Sequence, residues 1–180
     1  MIREAAEFAE KVHRGAFRKG SNIPYITHPL ETAVIASMIS DEEEVIAAAL
    51  LHDTIEDAGV SYGELKEHFG RHVADLVAEE SEDKTKTWME RKSCTIDHLR
   101  SAGREIKIIT LADKLSNIRS TARDYILVGE KIWERFNVKE KEKHAWYYNS
   151  MVDLLADLRE YPEYQEYARL CLSVFGPPGK

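Results

Sequence analysis

Apolar residues recur at helical spacing along most of the chain, with charged and polar residues between them. Residues 2–14, for example, have the spacing of an amphipathic helix, with apolar residues at Ile2, Ala5, Ala6, Phe8, Ala9 and Val12. No segment alternates apolar and polar residues over a convincing length. The pattern therefore predicts an all-α fold of about eight to ten helices. The further helices are expected from Pro29 onward, over 41–57, 61–70, 71–80 and 104–122, through Trp88 and Leu99 to Gly103, from Trp146 to Leu158, and from Pro162.

Two pairs of residues mark helix starts within this pattern. Asp41 followed by Glu44 has the form of a capping box and predicts the beginning of a central helix over 41–57. Ser61 followed by Glu64 repeats the signal for a shorter helix. The central helix matters most, because a dense group of ionisable residues follows its apolar first half.

The second half of the central helix contains four ionisable side chains within six residues, namely His52, Asp53, Glu56 and Asp57. In a continuous helix each residue turns about 100°, so these side chains share a sector of roughly 140°. Three carboxylates and an imidazole on one face are unfavourable unless a positive charge lies among them. We therefore expect His52 and Asp53 to bind a divalent metal, with Glu56 and Asp57 holding or deprotonating a metal-bound water.

Two further residues are candidate ligands for the same metal. His28 lies at the start of a helix, on a loop held by Pro24 and Pro29, and by itself it also fits a histidine near a helix cap. Asp113 interrupts a buried apolar helix, where a carboxylate is costly unless it is paired or metal-bound. Two imidazoles and two carboxylates form a mixed nitrogen and oxygen set that suits Mn²⁺, Fe²⁺, Zn²⁺ or Mg²⁺.

Length and charge narrow the possible functions. The 180 residues are enough for one full core, so we expect a single domain over 1–180 with a frayed tail at 176–180. A net charge of −7 argues against a nucleic-acid partner, whose binding surface is basic. Without an apolar run of about 20 residues or a signal-peptide core, we expect a cytoplasmic protein with no membrane partner. The two cysteines, Cys94 and Cys171, are far apart in the chain, which fits a reducing compartment.

Three sequence blocks carry a family resemblance. In chain order they are Arg18-Lys19 with Pro24-Tyr25-Ile26-Thr27-His28-Pro29, then Leu51-His52-Asp53-Thr54-Ile55-Glu56-Asp57, then Leu111-Ala112-Asp113-Lys114-Leu115-Ser116-Asn117-Ile118-Arg119. Together they resemble the HD superfamily of metal-dependent phosphohydrolases, and within it the hydrolase domain of RelA/SpoT-type alarmone enzymes. Because the chain has no room for synthetase and regulatory domains, it is similar to the stand-alone small alarmone hydrolases, which include the metazoan SpoT homologue.

The resemblance implies a single HD-domain helical bundle that removes the 3′-pyrophosphate of guanosine 3′,5′-bis(diphosphate), that is ppGpp, or of pppGpp. The products are GDP or GTP and pyrophosphate, and the usual metal is Mn²⁺. The roles that it implies are metal ligation by His28, His52, Asp53 and Asp113, orientation or activation of the attacking water by Glu56 and Asp57, and nucleotide contacts by Arg18, Lys19 and Asn117.

Other charged and aromatic residues are weaker candidates. His68 and His72 imitate a ligand pair but straddle a helix end, so we interpret them as surface residues. The aromatic run 146–148 contains a candidate contact to the base, although core packing is expected for at least two of its members. The remaining cations are expected to be solvated and are second-tier phosphate ligands: Lys84, Lys86, Arg91, Lys92, Lys114 and Arg119.

Two alternatives keep the same fold. One is a phosphohydrolase that acts on another nucleotide, such as a dNTP, a nucleoside monophosphate or the 2′-phosphate of NADPH. The other is a sensor that binds a nucleotide without hydrolysing it. Loss of a metal ligand, Glu56 or Asp57 would favour the sensor, and all of these residues are present.

Overall fold

A computed structural model of the chain describes residues 1–177. Residues 178–180, and with them most of the tail predicted to be frayed, lie outside the described part. The described residues form ten α-helices and two 3₁₀ helices. The α-helices are α1 Ile2–Val12, α2 Thr27–Ser37, α3 Glu43–Leu51, α4 Thr54–Ala58, α5 Tyr62–Phe69, α6 Arg71–Glu80, α7 Trp88–Leu99, α8 Arg104–Val128, α9 Lys141–Leu154 and α10 Pro162–Phe175. The 3₁₀ helices are Gly129–Arg135 and Ala156–Leu158.

The fold is all-α, as the hydrophobic pattern predicts. Between residues 1 and 177 the chain forms no strand, and extended pairing is limited to one isolated bridge between Phe17 and Pro24. This bridge closes the loop between α1 and α2, which carries Arg18 and Lys19. Over the same range, none of the helices has the length and apolar character needed to cross a bilayer.

The longest helix, α8, is the central element of the fold. Most residues in its first half are buried, and it packs against α2, α3, α6 and α10. The sequence predicts this helix only over 104–122, whereas the structure extends it to Val128. The extra residues end in an exposed turn, so they lack the buried face on which the prediction depends. Asp113 lies in the buried first half of this helix.

One of the two predicted helix starts is confirmed. The Ser61 hydroxyl accepts a hydrogen bond of 3.1 Å from the backbone N–H of Glu64 and caps α5. The predicted capping box of Asp41 and Glu44 is wrong, because α3 begins after Glu42 and that residue makes no side-chain capping bond. The short polar segment before α3 therefore begins the helix without the help of a capping side chain.

The predicted continuous helix over 41–57 is also wrong, since a turn at His52 and Asp53 divides it into α3 and α4. The Thr54 hydroxyl donates a hydrogen bond of 2.7 Å to the carbonyl oxygen of Leu51. Such side-chain bonds compete with the hydrogen bonds of the helix backbone. The predicted ligand pair thus lies at the junction of two helices rather than on the face of one.

Candidate metal centre and its cleft

Four side chains from three parts of the chain converge at one point. His28 comes from the first turn of α2, His52 and Asp53 from the turn between α3 and α4, and Asp113 from the middle of α8. Nε2 of His28 lies 3.1 Å from Asp113 Oδ1 and 3.5 Å from Asp53 Oδ2. Nε2 of His52 lies 3.0 Å from Asp53 Oδ2 and 3.7 Å from Asp113 Oδ1. Ligand atoms of His28, His52 and Asp113 all lie within 4.8 Å of one another, and these three residues are buried.

Hydrogen bonds orient both imidazole rings with Nε2 towards this point. Nδ1 of His52 donates to the carbonyl oxygen of Ala49 at 2.8 Å. Nδ1 of His28 lies 2.8 Å from Ser116 Oγ, and that hydroxyl donates to Glu31 Oε2 at 2.8 Å. Because the Ser116 proton is directed at Glu31, the Ser116 oxygen accepts from Nδ1 of His28. In the neutral rings, the Nε2 lone pairs therefore face the two carboxylates, as metal binding requires.

Two neighbouring residues of α8 stabilise the buried Asp113 carboxylate. Asp113 accepts hydrogen bonds of 2.5 Å from both Asn117 Nδ2 and Lys114 Nζ. Burial alone would raise the pKa of Asp113, but the Lys114 ammonium and the two imidazoles outweigh burial and lower this pKa. The carboxylate therefore stays ionised in the protein interior and available as a ligand.

Asp53 is held by Tyr25, a residue of the first sequence block for which the sequence predicts no role. The Tyr25 hydroxyl donates to Asp53 Oδ2 at 2.5 Å and lies 3.3 Å from Asp57 Oδ2. Burial and the charges of these two carboxylates raise the pKa of Tyr25, so its hydroxyl keeps the proton that it donates. The pKa of Asp53 is lowered, because the imidazoles of His52 and His28 outweigh its burial.

This donor set fits a divalent cation. Nε2 of His52 is buried, and although Asp53 Oδ2 lies 3.0 Å away, no group meets this nitrogen with hydrogen-bond geometry, which is costly for a polar atom unless another group binds it. Burial by itself lowers the pKa of His52, but Asp53 and Asp113 outweigh burial and raise it, so the cluster attracts positive charge. Two imidazole nitrogens and two carboxylate oxygens are suitable ligands for a divalent metal.

Glu56 and Asp57 lie in α4, shortly after His52 and Asp53. Oε2 of Glu56 accepts the backbone N–H of Glu82 at 3.3 Å, and its Oε1 lies 3.8 Å from both Lys84 Nζ and Arg91 Nη1. Burial, followed by the charge of Glu82, raises the pKa of Glu56. Asp57 is more exposed and pairs with Lys84. A half-buried carboxylate with a raised pKa is suited to accept a proton from water.

A cleft of about 980 Å³ contains the predicted metal ligands, and all nine residues predicted for the site line it. In its wall, Arg18 Nη2 donates to Asn117 Oδ1 at 2.9 Å and so ties the loop after α1 to α8. Lys19 is exposed, and its ammonium lies 6.0 Å from the centre of the Phe136 ring. The structure thus brings the predicted nucleotide contacts and the predicted metal ligands into one cavity.

The segment between α6 and α7 also contributes to the cleft through Glu82, for which the sequence predicts no role. Glu82 lines the cavity and accepts hydrogen bonds from Arg91 Nη1 at 2.9 Å, Lys92 Nζ at 2.7 Å and Thr95 Oγ1 at 3.0 Å. These donors come from α7, so local sequence pattern gives no signal for the cluster. Of the second-tier cations, those that line the cleft are Lys84, Arg91, Lys92 and Lys114.

Glu80, at the end of α6, is a second carboxylate that the sequence analysis missed. Its Oε1 accepts the Thr110 hydroxyl at 2.7 Å, and burial raises the pKa of Glu80 to about 7. The Lys114 ammonium acts against this rise. Unlike Glu80, Lys114 is visible in the sequence, because a lysine directly after Asp113 interrupts the same apolar helix.

The remaining candidates divide between the cleft and the surface. Tyr147 is buried and Tyr148 packs against the core, and both line the cleft, whereas Trp146 is exposed. His68 and His72 are exposed, as expected, and His72 pairs with Glu105 at 2.8 Å. The two cysteines are both free thiols.

Known proteins resemble this chain in sequence. A family model described as an HD domain matches residues 5–137. Guanosine-3′,5′-bis(diphosphate) 3′-pyrophosphohydrolase MESH1 of Xenopus tropicalis is 42% identical over 127 residues, which cover 68% of this chain and 70% of that protein. The Homo sapiens protein of the same name is 39% identical over 123 residues, covering 67% and 69%. The bifunctional (p)ppGpp synthase/hydrolase SpoT of Escherichia coli (strain K12) is 36% identical over 126 residues, which cover 66% of this chain and 18% of that protein.

Solved structures share the same architecture. A crystal structure of a Listeria monocytogenes EGD-e protein superposes with a TM-score of 0.77 at 34% identity, covering 83% of this chain and 99% of that one. A metazoan ortholog of SpoT, described as hydrolysing ppGpp, superposes with a TM-score of 0.76 at 29% identity, covering 93% of each chain.

Proposed function

Because the chain belongs to the HD domain family, we propose that it is a metal-dependent hydrolase that removes the 3′-pyrophosphate of ppGpp or pppGpp. The meeting of His28, His52, Asp53 and Asp113 in a cleft that Glu56 also lines supports this function most strongly. Relatives that carry the name of this reaction support the substrate. The proposed unit is a single HD domain over residues 1–180.

His28, His52, Asp53 and Asp113 hold the metal in this proposal, and Mn²⁺ is the first candidate, ahead of Zn²⁺, Fe²⁺ and Mg²⁺. When bound, a divalent metal makes water a better nucleophile near neutral pH and neutralises phosphate oxygens. The protein contributes rigid ligands, since each of the four side chains is fixed by a hydrogen bond to a neighbouring group.

Glu56 accepts the proton of the attacking water. Its raised pKa brings its basicity closer to neutral pH, where a general base is most effective. Lys84 and Arg91, each 3.8 Å away, limit the charge that the neighbouring carboxylates impose on Glu56. Asp57 pairs with Lys84 and orients it towards Glu56.

The cations of the cleft bind the phosphates. Arg91 and Lys92 stabilise the charge that develops on the leaving pyrophosphate, as preorganised cations do in phosphoryl transfer. Arg18, Lys19 and Asn117 contact the nucleotide. The planar guanidinium of Arg18 is also suited to stack on the guanine ring, which a lysine does less well.

The direct test is pyrophosphate release from ppGpp by chelator-stripped protein, with and without added Mn²⁺. NADPH and a dNTP serve as competing substrates in the same assay. We expect Mn²⁺-dependent release of pyrophosphate with GDP as the second product. If ppGpp is inert while another nucleotide loses phosphate, the proposed substrate is wrong. If ppGpp binds but no nucleotide is hydrolysed, the protein is a sensor rather than an enzyme.

A further inference from the structure

A chain of hydrogen bonds leads from His28 to the last helix of the molecule. Ser116 Oγ lies 2.8 Å from Nδ1 of His28 and donates to Glu31 Oε2 at 2.8 Å. Glu31 Oε1 in turn accepts Nη1 of Arg119 at 3.1 Å. The other donors of that guanidinium, Nε and Nη2, contact the two carboxylate oxygens of Glu166 at 2.7 and 2.6 Å.

We propose that Glu31 is a positioning residue for the metal centre, and that it acts on His28 through Ser116. Arg119 and Glu166 hold the Glu31 carboxylate in place. This role depends on the proposed function, because it requires a metal at His28. It adds four side chains to the nine residues assigned to the site, namely Glu31, Ser116, Arg119 and Glu166, and the last of these brings in a further element, α10.

Glu31 is needed because a serine alone does not determine the state of a histidine. A hydroxyl can donate to Nδ1 or accept from it, and these two arrangements leave opposite nitrogens protonated. An ionised carboxylate only accepts, so Glu31 directs the Ser116 proton away from His28. Nδ1 must then carry the proton of the imidazole, and Nε2 presents its lone pair to the metal. Ser116 is 0% exposed and His28 is 2% exposed, so solvent does not replace this contact.

The second imidazole is fixed in a different way. Nδ1 of His52 donates to the main-chain oxygen of Ala49 at 2.8 Å. No side-chain substitution removes that acceptor. Substitutions along the chain of hydrogen bonds therefore act on His28 alone, and His52 serves as an internal reference in the same molecule.

Arg119 and Glu166 keep the Glu31 carboxylate from turning to water. The Glu31 side chain is 36% exposed, and without a partner its carboxylate would be solvated more favourably outside the contact with Ser116. Arg119 is held by two parallel hydrogen bonds to Glu166, a geometry that fixes a guanidinium in both position and plane. Glu166 lies in α10, beyond the residues 5–137 that the HD family model matches.

The test measures metal affinity directly in the full chain. Chelator-stripped wild type, Ser116→Ala, Glu31→Gln and Glu166→Gln are titrated with Mn²⁺ by calorimetry. Asp157→Asn is the matched control, because it removes another acidic partner of α8, the one that pairs with Lys107. Nitrogen-15 correlation spectra of the metal-free proteins then identify which nitrogen of His28 carries the proton when no metal fixes it.

Loss of an outer partner of a metal-binding histidine typically weakens metal affinity about 10- to 100-fold, and we expect this for Ser116→Ala. Glu31→Gln should weaken Mn²⁺ binding by about tenfold, because an amide donates as well as accepts and no longer fixes the Ser116 proton. Glu166→Gln should have a smaller effect in the same direction, and Asp157→Asn should have none. The His28 spectrum should change in the first two variants, while that of His52 stays the same.

Three results overturn the proposal. Mn²⁺ affinities of Ser116→Ala and Glu31→Gln that equal the wild-type value would refute the positioning role, as would an unchanged His28 tautomer. A wild-type protein that binds no Mn²⁺ would refute both this role and the proposed function, whereas one that binds Mn²⁺ without hydrolysing ppGpp would refute only the latter. If Ser116→Ala fails to fold, Glu31→Gln decides, since residue 31 lies partly at the surface.

Discussion

Several charged residues of the cleft are paired with one another, so a single substitution at one of them changes two groups at once. Asp113 pairs with Lys114, Asp57 with Lys84, and Glu82 with Arg91 among others. Removing one partner of a part-buried pair leaves the other charge without compensation. Amide replacements that keep the shape of a carboxylate are therefore more informative at these positions than alanine.

Two substitutions separate metal binding from proton transfer. Asp53→Ala should abolish Mn²⁺ binding and pyrophosphate release together, because it removes a ligand. Glu56→Gln should keep the metal but slow turnover by about 100-fold or more, because an amide cannot accept a proton from water. Metal content by mass spectrometry and initial rates on ppGpp measure the two effects. Glu67→Gln, the same change at an exposed position of α5, should alter neither. Hydrolysis by metal-free Asp53→Ala would contradict the mechanism.

Glu80 makes the stability of the fold depend on pH. Its pKa of about 7 in the folded protein lies above that of a glutamate in the unfolded chain, so the folded state binds the extra proton. Stability is then lost as the pH rises from the pKa of an unfolded glutamate to about pH 7. The measurement is the free energy of urea unfolding of the two metal-free proteins, Glu80→Gln and wild type, at pH 5 and at pH 8.5. The difference between the two proteins should move in favour of Glu80→Gln by at least about 1 kcal/mol from the lower to the higher pH. Equal differences at both pH values would contradict this assignment.

At the scale of elements, the loop between α1 and α2 and the first 3₁₀ helix fit closely together. A Cβ atom at Gly20 would lie 2.7 Å from Cδ of Arg135, and Gly20 also has a φ of +70°. Arg135 cannot move away freely, because its Nη1 bonds Asp124 at 2.8 Å. The position of Arg18 and Lys19 in the cleft therefore depends on a glycine at residue 20.

Gly20→Ala should displace this loop and weaken substrate binding. The left-handed conformation alone costs about 1 kcal/mol for a residue with a Cβ, and that energy corresponds to roughly a fivefold change in an equilibrium constant. We expect KM for ppGpp to rise by about this factor, with Mn²⁺ affinity unchanged. Gly63→Ala is the control, since the nearest atom there is Ser61 Oγ at 3.9 Å. A KM that rises equally in both variants would rule out the local explanation.

Elements that depend on local signals could be predicted from the sequence, and the others could not. α5 and α10 begin where Ser61 and Pro162 indicate. The division between α3 and α4 was missed, because apolar spacing continues through it and the Thr54 hydroxyl is what competes with the backbone. Metal candidates were visible as charges in apolar helices, whereas the contribution of Glu82 was not, because its partners come from another helix.

At the scale of the whole molecule, a bound metal would link segments far apart in the chain. Its candidate ligands come from α2, the turn after α3, and α8, which also pack against one another in the core. A ligand that binds only the folded state stabilises it, by about 2.7 kcal/mol at a hundredfold excess over Kd. Metal binding should therefore be visible as a change in global stability.

We expect chelator to lower the Tm of Mn²⁺-loaded protein by about 5–10 °C, from the usual relation between free energy and Tm for a domain of this size. Differential scanning calorimetry with and without EDTA measures the shift. His28→Ala should show no dependence on EDTA, because it lacks a ligand. A wild-type Tm that is the same in both conditions would contradict metal binding in the core.

Carboxylates of the protein already pair with several cations of the cleft. Lys84 pairs with Asp57, and Arg91 and Lys92 both pair with Glu82. An anionic ligand that binds these cations must therefore displace a carboxylate side chain as well as water, so that its binding exchanges one anion for another. A monophosphate has little advantage in that exchange, whereas a pyrophosphate offers several charges and can compete for two cations at once. We therefore expect the cleft of this acidic protein to favour anionic ligands of higher charge.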